Sequence, residues 1–239
     1  MTELILKQGG IAIVALRSPS ALDALRRGDI NAAFEHAKAK VGRIDFAFNN
    51  AVCCLMAEVG RTPKDVARAM FEVNFRGAAY AAREAVKSFR GVNQPQGGVL
   101  LNVSSYMGLV PQPLMGYYVA PKHEIKPICT PWVSLLKFGG SRTAATKSMV
   151  IVPARTSHTN PALPSIFVRK PAGEWQAQGD PDKAIKFIYD FVNSVNQLPI
   201  RLAVGLDVIG MIKRKLKVLH NDLENAEKVH KDVVFTRTG

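Results

Sequence analysis

The chain contains two kinds of patterned stretch, short continuous apolar runs and longer stretches with apolar residues at helical spacing. The short runs are rich in β-branched residues, as in strands covered on both faces, and they lie at 11–16, 44–48, 99–103, 149–153 and 200–204. The longer stretches predict amphipathic helices at 1–8, 19–27, 30–41, 63–89, 181–192 and 206–230. Strands that alternate with helices predict an α/β fold with a doubly wound parallel sheet flanked by helices.

Residues that usually mark helix ends lie at the borders of these stretches. Gly9-Gly10 and Gly42 are expected to stop the helices that precede them. Asp29 is expected to cap the helix at 30–41, whereas Thr62 and Asp180 are each followed by a proline, which is favoured in the first helical position. The pattern degrades between residues 123 and 178, a proline-containing region that we expect to be irregular.

Polar or unusual residues follow most of the predicted strands. Arg17, Asn49-Asn50, Ser104-Ser105 and Pro153 each come directly after a separate strand. In a doubly wound sheet, ligands bind outside the carboxyl ends of the strands. We therefore expect one edge of the sheet to gather these residues into a site.

Tyr118 and Lys122 are four residues apart, a spacing that places both on one face of a helix. A phenol with its ordinary pKa of ~10 is a poor proton donor or acceptor near neutral pH. A neighbouring ammonium group can lower that pKa by roughly 1–3 units, which makes Tyr118 a candidate general acid/base. Ser105 lies thirteen residues earlier, where a loop could fold its hydroxyl back beside the phenol.

Composition narrows the class of protein. The chain has 239 residues, of which 47% are apolar and 21% are charged, so it can bury a core and one domain over 1–239 is the simplest expectation. It has no apolar run of the ~18–20 residues that span a bilayer, and we expect a cytoplasmic protein without a membrane partner. The three cysteines, without a CxxC spacing, are too few for a disulfide framework and do not indicate zinc.

The net charge of +13 leaves two interpretations open. Such a charge is found in nucleic-acid binders, but the chain has no Arg/Lys-rich helix and no array of interleaved aromatic residues. The excess is concentrated in 121–170, where eight Lys and Arg residues accompany one acid, Glu124. A basic surface without a nucleic-acid partner is the simpler interpretation, and an anionic cofactor would also be attracted to it.

Several motifs, in this order and at similar spacing, resemble the short-chain dehydrogenase/reductase family, and more closely its fungal carbonyl-reductase-like members. They are GRIDFAFNNA at 42–51, FEVNFRGA at 71–78, NVSS with YYVAPK at 102–122, GDPDKA at 179–184 and RLAVG at 201–205. The resemblance implies a Rossmann-like sheet and an NADP(H)-dependent oxidoreductase that interconverts a small or medium carbonyl and a secondary alcohol. It also implies a homodimer or homotetramer.

The resemblance implies roles for individual residues. The implied catalytic residues are Ser105, which positions the carbonyl, Tyr118 as the acid/base, Lys122, which lowers the pKa of the tyrosine and binds the nicotinamide ribose, and Asn74, which supports a proton-relay water. The implied cofactor contacts, besides Tyr118 and Lys122, are Arg17, Asn49, Ala51, Pro153 and Thr156. Arg17 favours NADP(H) over NAD(H), because a guanidinium suits a 2′-phosphate, although it could equally be a solvated arginine at a strand end.

The sequence also departs from the family. It has no TGxxxGxG turn, and the first strand and one further strand of the family have no counterpart, so Met1 aligns inside the first helix of the family. Val52 replaces a glycine, and Pro121 interrupts the Tyr118–Lys122 segment, which is tolerable only if Tyr118 lies in the first turn of its helix. An alternative function therefore stays open, that of a catalytically impaired relative with a structural or partner-binding role.

Overall fold

The computed structural model describes residues 1–14, 27–128, 133–138, 150–151, 179–195 and 198–229. The helices, in chain order, are α1 (Thr2–Lys7), α2 (Arg27–Val41), α3 (Lys64–Phe71), α4 (Ala78–Gly91), α5 (Gly116–Glu124), α6 (Pro181–Ser194) and α7 (Leu206–Val229). The strands are β1 (Phe46–Asn49), β2 (Leu55–Met56), β3 (Val99–Ser105), β4 (Val133–Phe138), β5 (Val150–Ile151) and β6 (Arg201–Val204). None of these helices is both long and apolar enough to cross a membrane.

The main sheet has the strand order β1-β3-β4-β6, and all three strand pairs are parallel. Asn49 pairs with Asn102 at the carboxyl end of β1, and Ser105 pairs with Phe138 at the carboxyl end of β3. A second, two-stranded parallel sheet joins β2 to β5. The predicted α/β class with a parallel sheet flanked by helices is confirmed.

Helices cover both faces of the main sheet. Successive side chains of a strand point to opposite faces, and Leu100 packs against Phe89 of α4 whereas Leu101 packs in a cluster with Ile188 of α6. These four side chains are at most 1% exposed. The two-sided burial accounts for the continuous apolar runs in the sequence.

The strand predicted at 11–16 is wrong for residues 11–14, which form neither helix nor strand. Ile11 and Val14 are 74% and 51% exposed. A strand needs a hydrogen-bonding neighbour, and β1 is the last strand on its side of the main sheet among the described residues. An apolar run that has no neighbouring strand makes no interstrand hydrogen bonds, so these bonds do not stabilise an extended conformation there.

The region 123–178, predicted to be irregular, contains a strand of the main sheet. β4 lies between β3 and β6, although its sequence VSLLKF includes a lysine. Lys137 is fully buried and donates a hydrogen bond from Nζ to Ser104 Oγ at 2.9 Å. The strand predicted at 149–153 is described at Val150–Ile151, where it pairs with β2 outside the main sheet.

The helix ends agree in part with the predictions. Gly42 directly follows α2 and Gly9 comes after the C-cap Gln8 of α1, with φ of 76° and 77°. Asp180 Oδ1 caps α6 by accepting from the Asp182 and Lys183 amides at 2.9 and 3.3 Å. The predictions at Asp29 and Thr62 were wrong. Asp29 lies in the first turn of α2, and the residue before α3 is Pro63, so Thr62 instead donates its hydroxyl to the Glu58 carbonyl at 3.0 Å.

Candidate active site

The two adjacent serines belong to strand β3 and not to the following loop. Ser104 and Ser105 are its last residues, and both are buried. Ser105 Oγ accepts a hydrogen bond from the Met107 amide at 3.1 Å and so caps the short 3₁₀ turn Tyr106–Gly108. The hydroxyl of Ser105 is therefore held at the carboxyl end of the strand.

Helix α5 carries both Tyr118 and Lys122, as their spacing predicted. The helix starts at Gly116, so Tyr118 is its third residue and lies in the first turn. Pro121 is buried further along, where it removes one backbone donor from the helix. The helix continues to Glu124, and Lys122 therefore remains inside it despite the proline.

Tyr118 is hydrogen-bonded to Ser105, as the sequence indicated. The pKa of the phenol is raised above 10.0, first because burial disfavours the phenolate and then because of the nearby Cys54 thiol. The hydrogen bond with Ser105 opposes this shift without reversing it. The prediction of a lowered pKa is wrong for this structure, because desolvation outweighs the effects that favour the phenolate.

Lys122 is 1% exposed, and Nζ donates to the Val103 carbonyl of β3 at 3.0 Å. Burial lowers the pKa of this amine from 10.5 to about 8, although Cys53 and Cys54 act in the opposite direction. A fraction of the amine is thus neutral just above physiological pH. Its contact with β3 ties the last turn of α5 to the strand that carries Ser105.

Asn74 lies in a π-helical turn, Glu72–Gly77, between α3 and α4. Its side chain is buried, and Oδ1 accepts from the Cys53 amide at 3.0 Å while Nδ2 donates to the Cys53 carbonyl at 2.8 Å. Turns of this kind interrupt the regular hydrogen bonding of a helix and occur frequently at functional sites. The amide of Asn74 clamps the segment after β1 onto the helix, a contact that the sequence did not predict.

Asn49 is the last residue of β1, and its side chain bridges two parts of the site. Nδ2 donates to Asn102 Oδ1 at 2.9 Å, and Oδ1 accepts from the Ala51 amide at 3.3 Å. Asn102 is fully buried, and its Nδ2 has no hydrogen-bond partner among the described residues. The Nδ2 group of Asn102 is therefore a buried, unsatisfied donor at this edge of the sheet.

Cys53 and Cys54 follow Asn49 and reach the Tyr118 side of the site. Neither forms a disulfide within the part of the chain that the structure describes, and Cys53 packs in a cluster that includes Tyr118 and Met70. Burial, together with the Cys53 thiol, raises the pKa of Cys54 to about 12, so Cys54 stays protonated at neutral pH. The two cysteines make the surroundings of the phenol less polar than the sequence indicated.

Two residues that support this site were missed in the sequence. Lys137 lies beneath Ser104, and a lysine in a proline-flanked stretch gave no sign that it would be buried. Gly108 touches α5 so closely that an added Cβ would overlap the Lys122 carbonyl oxygen and lie 2.8 Å from its carbon. The only sign of this close approach in the sequence was the glycine itself, three residues after the paired serines.

Replacing Gly108 with alanine is expected to destabilise the protein by about 1–3 kcal/mol, because the overlap is with backbone and a well-packed site cannot yield without strain. The turn that holds Ser105 would also shift away from Lys122. Urea unfolding measures the loss. Gly60→Ala is the matched control, since a Cβ at Gly60 meets no atom within 4 Å; equal stability of the two variants would contradict the close approach.

The structure brings together Ser105, Tyr118 and Lys122, and it places Asn74, Asn49 and Ala51 on the segments next to them. The remaining predicted cofactor contacts, Arg17, Pro153 and Thr156, lie outside the described residues. The described arrangement can hold a substrate oxygen between two hydroxyls and can donate a proton from the phenol.

Comparison with known proteins identifies relatives of this chain. The family described as short chain dehydrogenase matches residues 15–132. An uncharacterized oxidoreductase of Schizosaccharomyces pombe is 26% identical over 216 residues, which covers 85% of this chain and 72% of the relative. The oxidoreductase calM of Penicillium decumbens is 24% identical over 235 residues, which covers 87% and 75% of the two chains.

Solved structures share the fold. A short-chain dehydrogenase from Streptomyces avermitilis superimposes with a TM-score of 0.76 at 21% identity, over 95% of this chain and 82% of that one. An alcohol dehydrogenase from Thermococcus sibiricus, solved with 5-hydroxy-NADP, has a TM-score of 0.60 at 16% identity, over 84% and 77% of the two chains. The family match, the fungal relatives and the shared fold agree with the motif order in the sequence, and the chain belongs to the short-chain dehydrogenase/reductase family of oxidoreductases.

Proposed function

We propose that the protein is an NADPH-dependent reductase that converts a small or medium carbonyl compound to a secondary alcohol. The observation that supports this most directly is the hydrogen bond between Ser105 and Tyr118 at the carboxyl end of β3. Ser105 would position the carbonyl oxygen, and Tyr118 would give it a proton. Both groups would hold the same oxygen atom, so the carbonyl carbon is left open on its other side.

The donors at the site fit the nicotinamide end of a dinucleotide. Lys122 uses one of its three possible hydrogen bonds on Val103, so it has donors left for ribose hydroxyls. Asn49 and Ala51 would contact the cofactor at the end of β1, beside the unsatisfied amide of Asn102. When bound, the cofactor supplies the hydride that the protein cannot provide itself.

The direction of the pKa shift at Tyr118 supports reduction over oxidation. A phenol with a raised pKa stays protonated across the neutral range, so it holds a proton to give and is not available as a base there, although the same shift makes it a weaker acid. Alcohol oxidation would need the phenolate as a base, which the buried site disfavours. The amide of Asn74 is used on Cys53, so any proton-relay water would be held by the backbone of the π-helical turn.

We further propose that the cofactor is NADP(H), with Arg17 and the net charge of +13 favouring the additional phosphate. Pro153 and Thr156 would complete the contacts on the nicotinamide side. Charge-assisted hydrogen bonds to a 2′-phosphate contribute about 1.5–3 kcal/mol, so NADPH should bind roughly tenfold to a hundredfold tighter than NADH. Arg17→Ala should remove this preference.

Calorimetric titration with NADPH and NADH, followed by a carbonyl panel under NADPH, tests the proposal. The expected result is saturable NADPH binding and reduction of at least one carbonyl. Binding of neither cofactor would contradict the proposal and favour the catalytically impaired relative. An equal affinity of Arg17→Ala and wild type for NADPH would contradict only the role of Arg17.

A further inference from the structure

Lys137 is a buried cation in the middle of the main sheet. It belongs to β4, which lies between β3 and β6, and its side chain is 0% exposed. Taking an ammonium group out of water is costly unless hydrogen bonds and charges compensate for it. Leu136, the preceding residue, is equally buried and fills its strand position without that cost. Packing of the sheet therefore does not by itself explain a lysine at this position.

Ser104 connects Lys137 to helix α5. The two residues are register partners in the parallel pair of β3 and β4. Lys137 Nζ donates to Ser104 Oγ at 2.9 Å, and Ser104 Oγ donates to the Lys122 carbonyl of α5 at 3.5 Å. An ammonium group can only donate, and a hydroxyl has a single proton. Because Ser104 accepts from Lys137, its proton is directed to the carbonyl of Lys122.

The carbonyl of Lys122 belongs to the last turn of α5. The last four carbonyls of a helix have no partner inside the helix, and Lys122 is the third residue from the end of α5. A cation near this end of a helix also interacts favourably with the helix dipole. The pKa of His123, the next residue of α5, is lowered first by burial and then by the ammonium groups of Lys126 and Lys137. Lys137 and Ser104 thus act together on the C-terminal end of α5.

Three successive residues of β3 hold α5. The Val103 carbonyl accepts a hydrogen bond from Lys122 Nζ at 3.0 Å. Ser105 is hydrogen-bonded to Tyr118, which lies one turn earlier on the same helix. Ser104 lies between these two residues of the strand and holds the Lys122 carbonyl. A shift of the last turn of α5 would therefore move the amine and the phenol together relative to β3.

We propose that Lys137 is a positioning residue for the reduction, because it fixes Ser104 as a donor to the last turn of α5 and thereby holds Tyr118 in place. Lys137 touches neither the substrate nor the cofactor and acts only through the helix. The inference rests on the proposed function where it concerns the rate, whereas the anchoring of α5 can be measured without turnover. A misplacement of a reacting group by about 1 Å can cost on the order of 10²-fold in rate.

Lys137→Met removes the ammonium group and keeps a long side chain. It is expected to lower kcat for carbonyl reduction by about tenfold to a hundredfold, with a melting temperature equal to or above that of the wild type, because an apolar group replaces a buried charge. Leu136→Met is the matched control, since Leu136 is equally buried in β4 but packs in the cluster of Ile188; it should keep the wild-type kcat. An unchanged kcat in Lys137→Met would overturn the proposal.

Double-mutant cycles distinguish positioning from a general loss of structure. In a Tyr118→Phe background, Lys137→Met should change kcat by less than about twofold, because the group that it positions no longer donates a proton. Ser104→Ala, the second variant, should lower kcat as much as Lys137→Met does, and the two substitutions together should lower it no further. Losses that multiply in either background would mean that Lys137 does not act through these residues, and would overturn the proposal.

Amide hydrogen exchange of the protein without cofactor tests the anchoring of α5 independently of turnover. Lys137→Met and Ser104→Ala should each accelerate exchange in α5 by about tenfold, with little change in α4 and α6. Unchanged exchange in α5, or equal acceleration throughout the main sheet, would overturn the proposal. A wild type that reduces no carbonyl would contradict the proposed function, whereas acceleration confined to α5 would still show that Lys137 holds this helix.

Discussion

Replacing Tyr118 with phenylalanine is expected to lower kcat for carbonyl reduction by about 10²–10⁴-fold, the usual contribution of a positioned general acid. The substitution removes only the hydroxyl that is hydrogen-bonded to Ser105 and keeps the ring in its cluster with Met70 and Cys53. The affinity for NADPH should therefore change little. Steady-state rates of NADPH oxidation, with a carbonyl found active in the panel, measure the effect.

Tyr117→Phe is the matched control, because Tyr117 lies beside Tyr118 on α5 and packs in the same cluster. It is expected to retain the wild-type rate. Equal residual rates in Tyr118→Phe and the wild type would show that the phenol donates no proton in the reaction. Thermal unfolding of both variants separates a loss of activity from a loss of structure.

Replacing Lys122 with methionine is expected to stabilise the protein at pH 7 while it removes the amine that is proposed to bind the ribose. Burial of the ammonium lowers its pKa from 10.5 to about 8, which corresponds to a folding penalty on the order of 3 kcal/mol at neutral pH. A methionine avoids that penalty, and the lost hydrogen bond to Val103 offsets about 1–2 kcal/mol of the gain. Activity should fall because no amine remains to bind the ribose.

The pH dependence of this stability difference tests the burial of Lys122 more sharply than its value at pH 7 does. Between about pH 8 and 10.5 the unfolded chain keeps the proton on Lys122 while the folded chain loses it. The unfolded state then binds more protons, so the contribution of Lys122 to the free energy of unfolding rises with pH. The stability advantage of Lys122→Met should therefore shrink across this window in urea unfolding experiments.

Other groups titrate in the same pH range, so the quantity to follow is the difference in the free energy of unfolding between Lys122→Met and the wild type. Cys54 and Tyr118 are present in both, and their effects largely cancel in that difference. Lys64→Met, at an exposed position, is the control and should show no such trend. A constant difference in stability between Lys122→Met and the wild type from pH 7 to pH 10.5 would mean that the amine is not desolvated as described.

Much of the site was predictable because its residues lie close together in the sequence. Tyr118 and Lys122 share a helix through their spacing, and Ser105 ends a strand whose apolar run is plain in the sequence. The contact of Asn74 with Cys53 was not predictable, since it joins residues 21 positions apart through a π-helical turn. Such a turn leaves no periodic signal in the sequence.

The sequence by itself determined the α/β class, the succession of helices and strands around the site, and the order of Asn74, Ser105, Tyr118 and Lys122. These follow from local periodicity and from spacing within single elements. Only the tertiary structure decided that residues 11–14 lie outside a strand and that Lys137 is buried in one. It also decided that the pKa of Tyr118 is raised, because strand pairing and desolvation depend on neighbours that are distant in the chain.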